Sequence, residues 1–143
     1  MAIINGKYEA RISTTFANPK EGIDAIKKTI GESRKARISN IPMFLLEDLK
    51  PLLQGKDVML ILPIGEQPSD SLKTLGKVAV TKAKIYRNYK GTDAHVGSLF
   101  FSDLIFNITW AGDTIFEIDA MEYGKCVKCM KGTFETAWRY SQK

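Results

Sequence analysis

The sequence predicts a single α/β domain, residues 1–143, whose mixed sheet carries helices on both faces. Three observations carry this. Strand-like and helix-like segments alternate through the first half of the chain. One segment, Val58–Leu62, is wholly apolar, as strands covered on both faces are. Three strand-like pieces then follow one another before a closing helix. At 143 residues the chain is long enough to bury a core without disulfides or a structural metal. No internal repeat, linker or low-complexity tract divides it.

Taken in order, Tyr8–Ser13 alternates apolar Tyr8, Ala10 and Ile12 with charged Glu9 and Arg11, which predicts a strand. Asn18-Pro19-Lys20-Glu21 is a helix start. Asn18 can accept from a free backbone N–H, Pro19 fits the first helical position, and Glu21 sits where it can bond back to the cap. Ile23, Ile26 and Ile30 then share one face while Lys27 and Lys28 point outward. Ala36–Ile41 predicts a second strand. Pro42–Leu49 predicts a short helix offering Phe44, Leu45 and Leu49 to the core, broken at Pro51 and ended by Gly55. Asp57–Leu62 is the buried, parallel type of strand. A helix over Ser69–Leu75 is capped by Ser69 and stopped by Gly76. Strands follow at Val78–Arg87, Val96–Phe101, Ile105–Trp110 and Ile115–Ala120, and a last helix over Tyr123–Tyr140 has Cys126, Val127, Met130, Phe134, Ala137 and Trp138 as its apolar stripe.

Composition narrows the function classes. The first residues lack a basic stretch followed by an apolar one, and no apolar run approaches the roughly 20 residues that span a bilayer. A soluble, cytoplasmic protein without a membrane partner is the expectation. Cys126 and Cys129 stand too close together to staple distant parts of the fold, so free thiols are expected. Charge is unevenly placed. Between Lys77 and Lys90 there are five cations and no acid; between Gly91 and Gly124 there are six acids and no lysine or arginine. Two such blocks on neighbouring strands are expected to neutralise each other across the sheet, ahead of serving as an anion site.

Three groups of residues bear on chemistry. His95, the single histidine, stands upstream of Cys126-Val127-Lys128-Cys129, an order that zinc deaminases share. That chemistry needs a Glu two residues after the His, where Gly97 stands, and a Pro before the first Cys, where Lys125 stands. Two cysteines on a helical apolar stripe act as small hydrophobes, so no metal and no cofactor is expected. The second group is Lys82-Ala83-Lys84-Ile85-Tyr86-Arg87-Asn88-Tyr89-Lys90, where aromatics alternate with cations. Such a segment could hold phosphates and stack bases. It contains no base-reading motif, so a solvated strand is the expectation and nucleic acid an alternative partner.

The third group is His95 itself, leading an apolar strand after a basic one, within Asp93–Asp103. Together with the order of elements and a last helix that carries Phe134 and Trp138, it resembles one half-module of the phospholipase D-like superfamily, over most of the chain. That family's hallmark is His-x-Lys followed after four residues by Asp. Its His attacks phosphorus, its Lys holds phosphate charge and its Asp supports a histidine. Carried over by position, His95 matches the nucleophile, Gly97 replaces the lysine, and Ser102 stands at the aspartate with Asp103 one place late. On a strand, an offset of one turns a side chain to the other face. The Gly-Ser-x-Asn phosphate contact has no counterpart in Ile108-Thr109-Trp110-Ala111-Gly112.

The missing lysine decides the expectation. Fixed positive charge must meet the negative charge of the transition state, and losing one such stabiliser costs about 10²–10³ in rate. The resemblance therefore implies a catalytically degenerate phospholipase D-like domain, of the kind that prokaryotic regulators use for ligand sensing or protein interaction. It also implies a homodimer, since such half-modules pair two histidines. The expected site gathers His95 and Asp103 at the catalytic positions, with Lys82, Lys84 and Ser98 binding a small anionic ligand. The alternative is an active phosphodiesterase or nuclease in which His95 attacks and Lys82, Lys84 or Arg87 replaces the lysine.

Overall fold

The computed structural model describes residues 11–123 and 127–143, and the side chains of 13–122 and 132–143. The strands are β1 (Arg11–Thr15), β2 (Lys35–Ser39), β3 (Asp57–Leu62), β4 (Gly76–Val80), β5 (Tyr86–Tyr89), β6 (Thr92–Phe100), β7 (Leu104–Ala111) and β8 (Thr114–Tyr123). The helices are α1 (Pro19–Gly31), α2 (Met43–Leu53), α3 (Asp70–Lys73) and α4 (Val127–Arg139). The sheet runs β1-β8-β7-β6-β2-β3-β4, with β5 attached to β6. The pairs β2·β3 and β3·β4 are parallel and the remaining pairs antiparallel. The mixed sheet expected from the sequence is therefore present.

The alternation of each strand divides its side chains between two cores. On one face α1 and α2 cover Ile38, Leu60, Leu99, Phe106, Ile108 and Ile118 with Ile26, Ile30, Leu45, Leu46 and Leu49. On the other face Phe134 of α4 packs with Ile61, Phe100 and Ile105, flanked by Ala137 and Trp138. The cap at Asn18 forms as expected, its side chain accepting from the Glu21 N–H at 3.0 Å. At Ser69 the hydroxyl accepts from the Leu72 N–H at 3.3 Å.

Several boundaries differ from the sequence reading. Helix α2 runs through Pro51 to Leu53 because Leu53 is fully buried, while Pro51 lies on the exposed side, where water can serve the carbonyl that its ring leaves unpaired. The segment expected as one strand, Val78–Arg87, is two. After Val80 the Thr81 hydroxyl bonds to the backbone of Ala83, and this local turn ends the strand. The chain then crosses from β4 past the ends of β3 and β2 to the edge of β6, where β5 begins. Strand β8 continues to Tyr123, a residue expected to open the last helix. Of that helix's stripe, Cys126 lies outside the described residues, as do the side chains of Val127, Cys129 and Met130. The expected neutralisation of charge blocks does not occur: among the described residues the ion pairs are Lys27–Asp48, Arg37–Asp57 and Lys50–Glu47, none between the two blocks. Most of the cations concerned are instead exposed, in the loop of residues 81–85 and on β5. No helix among the described residues is long and apolar enough to cross a membrane.

Candidate functional site

Strand β6 places the candidate residues, and its neighbours change along its length. One edge is paired with β7 from His95 to Phe100. The other edge is shared in series by β5, opposite residues 92–95, and β2, opposite residues 98–100. His95 sits at the handover. It is level with the carboxyl ends of the parallel strands β2 and β3, the end of an α/β sheet where ligands are usually bound.

Register puts an aromatic on each side of His95: Trp110 on β7 and Tyr86 on β5. Cross-strand neighbours of this kind are close enough to interact directly. The Trp110 ring lies 4.4 Å from the imidazole, stacked at 24°, and the Tyr86 ring 4.8 Å away at 53°. A register shift between Thr109 and Trp110 marks a bulge, a device that re-aims a side chain. The Lys84 ammonium completes the row, 5.7 Å from the centre of the Tyr86 ring. Burial holds the His95 imidazole below the ordinary histidine value of 6.5, and the charge of Lys84 pushes the same way. Both causes favour the neutral ring.

Two residues along, at the family's lysine position, the space is taken. A Cβ on Gly97 would stand 2.3 Å from the Asn40 carbonyl oxygen and 2.7 Å from its carbon. Asn40 is 2% exposed and has a φ of 57°, a left-handed conformation that asparagine tolerates better than most residues. Three bonds hold it there. Its N–H donates to Ile61, its side-chain Nδ2 donates to the Val96 carbonyl at 2.9 Å, and its carbonyl accepts from Trp110 Nε1, also at 2.9 Å. The backbone of Asn40 thus occupies the place where a residue-97 side chain would begin, and the indole that stacks on His95 anchors it.

The other expected residues are dispersed. Ser98, three residues on, has the opposite parity to His95 and faces the α4 side of the sheet, where its hydroxyl donates to Asn107 Oδ1 at 2.8 Å. Asn107 in turn donates to Asp119 Oδ1 at 3.2 Å. Asp103 is exposed in the β6–β7 turn, at the far end of the hairpin from His95. Lys82 is exposed in the 81–85 loop, two residues from Lys84. Of the five residues expected to form one site, the structure sets Lys84 over the Tyr86 ring that flanks His95, keeps Lys82 in the same loop, and leaves Ser98 and Asp103 apart from it. Tyr86 belongs to the segment where aromatics alternate with cations; Asn40 and Trp110, and their closure over Gly97, were missed. Their signals were a Ser-Asn step closing a strand, an indole whose N–H needs a partner once buried, and a glycine within a strand, which often marks a close backbone approach. Among the described residues no group of three or more His, Cys, Asp or Glu is placed to hold a metal ion.

Comparison with known proteins defines the fold. The structure is similar to NucT from Helicobacter pylori, with a TM-score of 0.60 and 9% identity over 94% of this chain and 99% of that one. It is also similar to Nuc from Salmonella typhimurium, described as a phospholipase D family member, with a TM-score of 0.53 and 9% identity over 94% and 97% of the two chains. Polyphosphate kinase from Porphyromonas gingivalis matches with a TM-score of 0.51 and 9% identity, over 92% of this chain and 26% of the kinase. No protein-family model matches the sequence, and no curated protein does. The chain has the phospholipase D-like α/β fold. At 9% identity that likeness concerns the fold alone.

Proposed function

We propose that this protein is a non-hydrolytic phospholipase D-like domain that recognises a small anionic ligand at the carboxyl end of its sheet, through His95, Lys84 and the exposed Lys82. The observation that carries the reading is the contact at Gly97. A phosphodiesterase of this fold class needs a cation two residues beyond its histidine, and here the Asn40 carbonyl fills even the first carbon of any side chain at that position. What remains is a neutral imidazole between two rings with a lysine beside it, equipped for stacking and hydrogen bonding. A second copy that sets the two His95 rows face to face belongs to the same proposal, with sedimentation velocity as its measure.

The alternative, an active phosphodiesterase or nuclease, draws support from the same ring, since a neutral imidazole with a nearby ammonium is what nucleophilic attack on phosphorus requires. Turnover separates the two. Purified protein is assayed on bis(4-nitrophenyl) phosphate and on a labelled oligonucleotide beside its His95→Gln variant, and binding of pyrophosphate is followed through the His95 ring signals by NMR. The proposal expects no hydrolysis that depends on His95, together with pyrophosphate-induced shifts that Lys84→Gln weakens several-fold. Hydrolysis lost in His95→Gln, or trapping of a phosphohistidine at residue 95, overturns it in favour of the alternative.

A further inference from the structure

On the opposite face of the sheet, at the far end of β6, two cavities of about 510 Å³ and 480 Å³ flank a shared wall of Arg37, Phe134 and Glu135. Each lies within the roughly 300–1,000 Å³ typical of small-molecule sites. Register explains why they meet here. Arg37 of β2 stands opposite Phe100 of β6, so a cation and an aromatic share one row beneath α4. Arg37 is held rather than free: both of its terminal nitrogens reach the Asp57 carboxylate at 3.3 Å, and Nη1 also donates to the Asp57 carbonyl at 2.9 Å. The same contacts hold the Asp57 carboxyl below its ordinary value. Arg37 is thus a fixed polar part of the lining, held from beside it by Asp57.

The walls are aromatic. Phe134 meets Phe100 edge-on at 5.7 Å and stacks with Trp138 at 6.2 Å. The mouths are basic. Exposed Arg34 and Lys35 border the first cavity, and exposed Arg139 and Lys143 border the second. Lys143 already leans over the Trp138 ring, its ammonium 5.4 Å from the ring centre. Against these cations the lining holds two carboxylates, Glu32 and Glu135. Apolar walls with a positive rim complement a molecule that has an apolar body and one anionic head. An inorganic anion would leave the rings unused, and a neutral hydrocarbon would leave the cations unpaired.

We infer that this groove binds a small amphipathic anion, its apolar part against Phe134 and Trp138 and its anionic head between Arg139 and Lys143. The inference is independent of the His95 reading, because the groove lies on the other face and at the other end of β6. The test uses the full chain and 1-naphthoate as probe, followed by isothermal titration calorimetry, with 1-naphthalenemethanol as the uncharged counterpart. The expected result is saturable binding of naphthoate, at least tenfold tighter than that of the alcohol. Arg139→Glu with Lys143→Glu should weaken it at least tenfold, whereas Lys20→Glu with Lys28→Glu, on α1, should change it less than twofold. All four side chains are exposed, and circular dichroism verifies that the variants fold. No saturable binding, equal binding of the alcohol, or equal sensitivity to the Lys20 and Lys28 reversals overturns the inference.

Discussion

The two ends of strand β6 share a sheet and differ in nearly everything else. At the His95 end, space that a family-type side chain would use is filled by the protein itself: the Asn40 backbone against Gly97, and Trp110 and Tyr86 against the imidazole. At the Phe100 end, the groove under α4 stays open and its charged rim reaches solvent. The residue that resembles a catalytic nucleophile stands where the chain has closed over its surroundings. Two cavities stand at the other end of β6, under the helix that carries Phe134 and Trp138. What the packing closes at the His95 end is the position of residue 97, while Lys82, Lys84 and Tyr86 around the imidazole stay exposed. The comparison also predicts a division of labour under mutation. Substitutions of the packed residues at the closed end, Gly97 and Trp110, should cost stability, and substitutions of the exposed cations at either end should cost binding.

The largest effect is expected at Gly97. An alanine there must push aside a backbone carbonyl held by a buried indole, with no flexible side chain available to yield. Overpacking of a close-packed interior typically costs about 1–3 kcal/mol and occasionally more. Because the obstacle is main chain, Gly97→Ala should lie at the top of that range, near 3 kcal/mol. Gly97→Lys should do no better, and it should fail to confer phosphodiester hydrolysis. Urea denaturation measures the first and the bis(4-nitrophenyl) phosphate assay the second. A stable Gly97→Lys protein that hydrolyses phosphodiesters would show that the closed end opens readily, and the contrast between the ends would collapse.

Next in size is Trp110→Phe. It keeps a ring to stack on His95 but removes the donor to the Asn40 carbonyl, which is buried. Leaving a buried acceptor unmatched costs about 1–3 kcal/mol. The same measurement on Asp57→Asn, at the open end, should show a smaller change, because that pair is partly exposed and its charges are screened by water. Equal losses from the two variants would mean that the ends are equally built in.

How much of this was legible beforehand follows from range along the chain. The strand–helix alternation, the Asn18 and Ser69 caps and the buried parallel strand at Asp57–Leu62 depend on neighbouring residues, and they were read from pattern. The break between β4 and β5 was not, because continuous strand character over Val78–Arg87 masked a chain that must leave one edge of the sheet and rejoin it two strands away. The site divides in the same manner. His95 and the lost lysine are local facts. The reason that no lysine fits is a contact between residues 40 and 97, and the indole that anchors it comes from residue 110. The separation of Ser98 and Asp103 from His95 follows from strand parity and hairpin length. The parity that turns Asp103 away also points Ser98 away from the imidazole, toward Asn107.

The smallest expected effect, and the most direct reading of the closed end, is the titration of its imidazole. His95 is the only histidine, so its ring signals can be followed alone by NMR. Burial and then Lys84 set its folded value below 6.5, so folding disfavours the proton. Above pH 6.5 both the folded and unfolded chains carry a neutral ring, and stability does not respond to this group. As pH falls through 6.5 the unfolded chain takes up a proton that the folded one still refuses, and stability declines until the folded value is passed. That decline should be absent from His95→Gln, which isolates it from the carboxylates titrating at lower pH. Lys84→Gln should raise the folded value only part of the way, because burial is the larger cause. A folded value at or above 6.5 would mean that water, rather than Trp110 and Tyr86, surrounds the ring, and the end described as closed would have to be counted as open.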